Sequence, residues 1–276
     1  MITELHCHTT ASDGTLSPTE LIKLADQRDV KLLAVTDHDT VAGHAEAIAA
    51  SHQYGIRVIP GIEVSSLFGS TEVHVLGYGV EPQDETTMQQ LAQLRDARDG
   101  RASAMVDKLH ALGIPVSFER VKELAGDSMV GRPHIAKALL EGNWVSTRQQ
   151  AFDDYLAEGK PAFVAHQTLS PAQAVELIHR ARGIAVLAHP ALFAGDLDQL
   201  LANLVEHHLD GVEAYYPLHT AQQTEQYAAF AKTNNLITTG GSDFHGFIGD
   251  QEVVLGSIHL SDVTLAAFNA RLLSVR

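Results

Sequence analysis

The sequence predicts a parallel α/β fold interrupted by a block of helices, on three observations. Short apolar strands alternate with amphipathic helical stretches up to about residue 82 and again from about 165, the rhythm of strand–helix–strand units. Between them, 83–164 carries helical periodicity and no clear strand. Nearly every strand of the α/β part ends in a histidine or a carboxylate, and active sites of parallel barrels and open α/β sheets gather at such ends. The organisation expected is one α/β unit, 1–82 with 165–276, and a helical insertion, 83–164.

The elements follow in order. Residues 2–6 alternate as a first strand. Ser17-Pro18-Thr19-Glu20 reads as a capping box with proline at the first helical position, opening a helix to about 28. A buried strand at 31–36 and a helix at 41–54 come next. Strands are predicted at 57–59, 61–65 and 72–80. The insertion carries a long helical stretch over 84–112, broken near Gly100, then helices at 118–124, 132–141 and 147–156. The α/β rhythm resumes with a helix at 170–181 and a strand at 184–188. A helix at 197–208, a strand at 211–215, a helix at 221–234 and a strand at 236–239 follow. A last strand is predicted at 253–259, with Ser261 capping the final helix.

Composition excludes several classes. With 19 Lys+Arg against 34 Asp+Glu the formal charge is −15, which argues against a broad surface for long nucleic acid. One cysteine rules out an intrachain disulfide framework. The start, MITELHCHTT, has neither a basic n-region nor an apolar h-region, and no run approaches a membrane span. A cytoplasmic protein with no membrane role is expected. Histidine is the outlier: 16 residues, and histidine is the commonest metal ligand.

Those histidines sit at strand ends. The first strand ends in His6-Cys7-His8 with Asp13 beyond, and the second in Asp37-His38-Asp39. Glu63 and His74 belong to the next two, and His189, Glu213 and Asp243-Phe244-His245 to the later ones. In an extended strand i and i+2 share a face, so His6 and His8 can reach one ion while Cys7 turns into packing. Each cluster alone has a structural explanation: a helix cap at Asp39, a satisfied core histidine at 74, a turn at His189-Pro190, an Asx turn at Asp243. Together they predict a mixed cluster of about nine ligands, more than one ion needs, of the kind that suits Zn²⁺, Mn²⁺ or Fe²⁺ rather than Ca²⁺.

The series HCHTTASDG, VTDHD, GIEVS, EVHVLGY, LAHP, GVEAYY and GSDFH resembles the polymerase-and-histidinol-phosphatase (PHP) family over 4–79 and about 184–249. The position of the insertion is similar to the bacterial branch acting on 3′,5′-nucleotide bisphosphates and on the 5′ ends of short RNAs. The resemblance implies a distorted (β/α)₇ barrel with three divalent metal ions; manganese, iron and zinc all occur in the family, and of Mn²⁺, Fe²⁺ and Zn²⁺ the first is the one expected here. It implies that His6, His8, Glu63 and Asp243 hold the first ion, that Glu63 bridges to a second with His74 and His189, and that Asp13, His38 and His245 hold the third. Asp13, His38, Glu63, Asp243 and His245 are then the catalytic set, hydrolysing the substrate's 5′-phosphate through a metal-bridging hydroxide.

Selectivity is expected outside the metal shell. Arg132, His134, Lys160 and His166 are candidates for a second phosphate, the 3′ one; Arg132 and His134 could equally cap a helix start. His219 is a candidate proton donor or a surface helix-start residue, and Glu213 a supporting or substrate-orienting one. Ser65, Ser242 and Thr36 are candidate hydrogen-bond supports. The expected partner is a nucleotide or a short RNA. Histidinol-phosphate phosphatase, a non-catalytic metal-stabilised module and a metal store are the competing readings; the insertion argues against the first, and placement of ligands at successive strand ends argues against the last.

Overall fold

A computed structural model describes residues 1–69, 71–81, 85–125, 130–164, 169–246 and 253–275. Among these residues seven strands form one sheet in chain order: β1 (Ile2–Cys7), β2 (Val30–Val35), β3 (Arg57–Phe68), β4 (Thr71–Tyr78), β5 (Ile184–Leu187), β6 (Gly211–Tyr215) and β7 (Ile237–Gly240). The sheet is mostly parallel, as the strand–helix rhythm predicts, except that β4 runs antiparallel to both β3 and β5. A two-residue connection joins β3 to β4, too short for the crossover that a parallel pair needs. β3 is also one continuous strand; Pro60 marks where its pairing passes from β2 to β4.

The ends of the sheet approach each other. The His8 N–H donates to Phe244 O at 2.9 Å, and the Phe244 N–H to His6 O at 3.3 Å, so the end of β1 bonds the segment that follows β7. Gly241 permits this approach: a Cβ there would lie 2.4 Å from that of His6. Glu4 clamps the junction. Its buried carboxylate accepts from the backbone N–H of His6 (3.1 Å), Ser242 (2.9 Å) and Gly256 (2.8 Å) and from the Ser242 hydroxyl (2.5 Å). Burial pushes the Glu4 carboxyl above its ordinary value, partly offset by these bonds. Glu4→Leu strands four buried donors and is expected to cost about 4 kcal/mol of stability. Glu4→Gln, which keeps an acceptor, should cost less; urea unfolding midpoints measure both.

The strand predicted at 253–259 does not form among the described residues. Gly256 adopts a φ of 77°, a left-handed conformation that breaks an extended run, and turns its N–H toward Glu4.

Helices cover the sheet. α1 (Pro18–Gln27), opened by the Ser17 capping box, and α2 (His44–Ser51) pack Leu21, Ile22 and Ala47 against Leu33, Val35 and Cys7. Cys7 is fully buried in this cluster. α7 (Pro171–Arg180) and α8 (Leu197–Glu206) cover β4 to β6, and α9 (Ala221–Thr233) follows β6. α10 (Asp262–Ser274) places Phe268 edge-on to Tyr78, ring centroids 5.2 Å apart.

The intervening segment is helical: α3 (Glu85–Ala111), α4 (Phe118–Ala125), α5 (Arg132–Glu141) and α6 (Arg148–Ala151), which runs into one π-helical turn, Phe152–Leu156. α3 passes unbroken through Gly100, whose helical cost against alanine, about 1 kcal/mol, is spread over 27 residues. Met105, Leu109, Ile135, Leu139 and Leu156 form an apolar cluster of this segment's own.

Candidate metal centre

β1 delivers Glu4, His6 and His8 to one side, the alternation that an extended strand imposes. The antiparallel register of β3 and β4 sets Ser65 opposite His74 and Glu63 opposite Leu76, so Glu63 and His74 are diagonal neighbours on one face. His38 follows β2, His189 follows β5, and Asp243 and His245 follow β7. Backbones bend sharply here: φ is 25° at His189, 56° at Asp243 and 54° at Asp39. A non-glycine residue held in this region carries a backbone cost that the surrounding contacts must offset.

Glu63 is the hub. Its Oε2 lies 3.2 Å from His6 Nε2, 3.2 Å from His8 Nε2 and 3.3 Å from His38 Nδ1. Its Oε1 lies 2.9 Å from His74 Nδ1 and 3.1 Å from His189 Nε2. Asp243 Oδ1 stands 3.2 Å from both His6 Nε2 and His8 Nε2. Asp13 meets His245 Nε2 at 3.2 Å, His8 Nδ1 at 3.7 Å and His38 Nε2 at 3.8 Å. All nine sequence-named metal ligands are therefore brought together. Three groups have ligand atoms within 4.8 Å of one another: His6, His8, Glu63 and Asp243; His8, Asp13, His38 and His245; and His38, Glu63 and His74.

These spacings suit shared ions. Two donors each about 2.1 Å from one ion lie roughly 3.0 Å apart at a right angle and roughly 3.4 Å apart at the tetrahedral angle. All four imidazole–carboxylate edges of the first group are 3.2 Å. His8 is the clearest sign. It is fully buried, and neither ring nitrogen makes an aligned hydrogen bond, although Nε2 faces two carboxylate oxygens. Buried polar atoms are normally satisfied; a convergence without alignment is what an ion completes.

Electrostatics agree. Burial alone would raise the Glu63 carboxyl, but His38, His74 and His6 outweigh it and hold the group well below its ordinary value. Burial likewise opposes ionisation of Asp243, and His6 and His245 overcome it. His74 and His245, despite burial, are pushed up to about 10 by Glu63 and by Asp13 with Asp243 respectively.

A second ring of contacts orients the donors. Glu213 Oε1 meets His6 Nδ1 at 3.0 Å, and its Oε2 accepts the His189 N–H at 2.8 Å. With Nδ1–H donated to Glu213, His6 presents Nε2 to Glu63 and Asp243. The Tyr216 hydroxyl donates to Asp243 Oδ2 at 3.0 Å. Asp37 accepts from the Thr9 N–H, the Thr9 hydroxyl and the Ser12 hydroxyl, each at 2.7 Å, which secures the loop that carries Asp13.

A cavity of about 260 Å³ opens on this cluster, lined by Asp13, His38, His74 and His245 and by Arg101, Arg132 and Phe152. Ser65 also lines it, whereas Thr36 supports β1 through the Cys7 N–H and Ser242 bonds Glu4. Arg132 Nη2 pairs with Glu72 Oε2 at 2.5 Å, and Arg101 Nη1 stands 3.6 Å from Glu72 Oε1. Glu72 reaches His74 Nε2 at 3.4 Å.

Of the other candidates, His134 is turned inward: its Nδ1 accepts the Gly131 N–H at 3.1 Å, closing the start of α5. Lys160 is exposed and does not line this cavity. His166 lies outside the described residues. His219 packs its ring between Tyr216 and Tyr227, and its Nδ1 meets Ala214 O at 3.0 Å. Sequence reasoning missed Glu4, Glu72, Arg101 and Tyr216. Glu4 had a signal, since it shares the period-two face of His6 and His8. Arg101, one polar residue in a polar helix, had none.

Comparison with known proteins agrees with this geometry. The PHP domain profile matches residues 4–232. The 5′-3′ exoribonuclease Rnm of Escherichia coli is 37% identical over 250 residues, spanning 89% of this chain and 85% of that protein. The 3′,5′-nucleoside bisphosphate phosphatase of Chromobacterium violaceum is 35% identical over 246 residues, 88% and 86% of the two chains. A solved structure from Chromobacterium violaceum, an amidohydrolase with bound sulfate and no metal, superposes with a TM-score of 0.89 at 32% identity and covers 100% of this chain and 97% of its own. Among the described residues no helix is long and apolar enough to cross a membrane. Family profile, relatives and donor cluster point the same way: the chain belongs to the PHP domain family and is a metal-dependent phosphoesterase, a hydrolase.

Proposed function

We propose that this phosphoesterase removes a terminal phosphate from 3′,5′-nucleotide bisphosphates and trims short 5′-phosphorylated RNA, on a distorted seven-stranded barrel with 83–164 as a helical insertion. The observation that carries the reading is Glu63, one carboxylate within 3.3 Å of five imidazoles, beside a cavity also lined by Arg101 and Arg132. Relatives named for exoribonuclease and bisphosphate phosphatase activity support the substrate class.

In this reading His6, His8, Glu63 and Asp243 hold one divalent ion, Glu63 with His74 and His189 a second, and Asp13, His38 and His245 a third, with Mn²⁺ favoured. Such ions supply an activated water at neutral pH and neutralise the phosphoryl charge. The chain's own residues do the rest. Glu213 fixes the His6 tautomer. Tyr216 holds Asp243 by its second oxygen, leaving Oδ1 for the cluster. Arg132 and Arg101 provide cationic groups at the cavity; Glu72 holds Arg132 until a phosphate competes for it, while Arg101 is positioned by its Nε–H donated to Val164 O at 2.9 Å.

The test is phosphate release from adenosine 3′,5′-bisphosphate by Mn²⁺-loaded protein, beside AMP, histidinol phosphate and a 5′-phosphorylated RNA trimer. Preference for the bisphosphate or the trimer is expected, and product analysis tells which phosphate leaves. Preference for histidinol phosphate, or turnover of none, refutes the reading. Arg132→Ala should raise KM for the bisphosphate about tenfold and cost AMP clearly less. Equal effects on both esters would remove Arg132 from recognition of the second phosphate.

A further inference from the structure

A second cavity, of about 190 Å³, adjoins the first and shares Glu72, His74 and Arg132 with it. Its chemistry differs. The first brings Asp13, His38 and His245 together with Met105, Val130 and Phe152; the second carries His74 and His189 from the cluster and is otherwise walled mainly by Val73, Leu187, Leu192 and Phe193. Neither volume alone reaches the roughly 300 Å³ at which small-molecule sites begin, whereas the two together do. We propose that the second cavity is a nucleobase site, a stacking shelf between Phe193 and Arg132 for the base of the ester whose phosphate meets the ions that the cluster around Glu63 would hold. The inference rests on the nucleotide reading above and adds to it the part of the substrate that the phosphate chemistry does not use.

Three features carry it. First, Phe193 is held as a fixed ring. Its centroid lies 6.3 Å from that of Phe68 in an edge contact. On another side the ring closes on Gly195, where a Cβ would come within 2.5 Å of its tip. A rigid aromatic face loses little entropy on stacking. Second, the shelf and the metal cluster are parts of one turn. The short 3₁₀ turn Pro190–Leu192 begins directly after His189. The Leu192 N–H donates to His189 O at 2.9 Å, and the Phe193 N–H to Pro190 O at 3.2 Å. The turn that aims the His189 imidazole at Glu63 therefore also sets the distance from phosphate to base. Third, Arg132 stands where the two cavities meet, and a guanidinium plane stacks on a base as readily as it grips a phosphate. Leu192, half exposed at 50%, is an apolar side chain at the edge of the shelf, which gives it a reason to face solvent in the free protein.

The walls are apolar apart from Glu72, Arg132 and the two histidines of the cluster. The shelf therefore reads a π face and not a hydrogen-bonding edge, so it ranks bases by stacking strength, purines ahead of pyrimidines.

Calorimetric titration of the Mn²⁺-loaded protein with AMP and with ribose 5-phosphate tests this without depending on turnover. AMP is expected to bind about tenfold tighter than ribose 5-phosphate, within the range that base–aromatic stacking supplies. Phe193→Ala should remove that preference and leave ribose 5-phosphate binding as it was. Phe193→Tyr should keep it, and Phe193→Leu, which preserves bulk and fold, should lose it. Equal affinity for the two esters in the unaltered protein, or an equal loss for both in Phe193→Leu, overturns the shelf. Retained AMP preference with no hydrolysis of any nucleotide would instead overturn the proposed reaction and leave the shelf standing.

Discussion

Glu63→Gln is expected to cost more activity than any other single substitution in the cluster, on the order of a thousandfold or more in phosphate release. The reason is the number of groups that converge on one carboxylate. Oε2 faces His6, His8 and His38, and Oε1 faces His74 and His189, all between 2.9 and 3.3 Å. An amide of the same shape loses the charge and offers only one acceptor oxygen, so two ligand groups are weakened by one change. A peripheral support behaves differently: losing a residue that merely orients a ligand costs about 10- to 100-fold, the range expected for Glu213 or Tyr216. Metal content after dialysis and phosphate release should fall together in Glu63→Gln, while the far-ultraviolet circular dichroism stays unchanged. Full metal content with full activity would show that Glu63 is not the bridge.

How much of this was legible in the sequence depends on range. The metal donors could be named because each follows or occupies a strand, and strand ends announce themselves through apolar runs that stop at His or Asp. Period-two alternation told which of His6, Cys7 and His8 share a face, and Cys7 indeed packs against Leu33 and Val35. The reversal of β4 was not readable from periodicity, since alternation carries no direction; the two-residue link after Phe68 was the available clue. The strand expected at 253–259 failed because its pattern, apolar and alternating, ignored a tertiary partner: the buried Glu4 carboxylate, which draws the Gly256 N–H out of an extended path. Recognition groups were the least legible. Arg132 stood out only through the resemblance of its Val-Gly-Arg-Pro-His segment to the family's insertion, and Glu72 and Arg101, 29 residues apart along the chain, meet only because α3 brings Arg101 to the cavity, which no local pattern encodes. His134 shows the converse: a polar residue beside Arg132 that the fold spends on its own helix start.

Metal uptake should release protons and weaken steeply as pH falls. Before ions bind, burial disfavours the charged imidazoles of His74 and His245, yet Glu63 for the first, and Asp13 with Asp243 for the second, push both up to about 10. A metal takes the neutral ring, so at pH 7 each of these histidines must lose a proton on binding. His6 adds to this: burial opposes its charge, but Glu213, Asp243 and Glu63 hold it well above its ordinary value. At least two displaced protons change the apparent affinity by on the order of a hundredfold or more per pH unit over roughly pH 7 to 9. The metal-free fold has the opposite dependence on this side of neutrality. A histidine whose pKa is raised by folding contributes stability that is fully present below its unfolded value of about 6.5 and lost as pH rises through about 10. Glu63 and Asp243 are held well below the ordinary carboxylate value. Their contribution is present above about pH 4 and disappears as pH falls through the lowered values. Chelated protein should therefore be most stable between roughly pH 5 and 7, and the gain in melting temperature on adding Mn²⁺ should widen from pH 6 to pH 9. Titrating Mn²⁺ into chelator-treated protein in two buffers of different ionisation enthalpy counts the protons released. A count near zero, or a metal-induced stabilisation that stays flat across that range, would mean that the imidazoles are already neutral and that the carboxylates around them are not holding their charge in place.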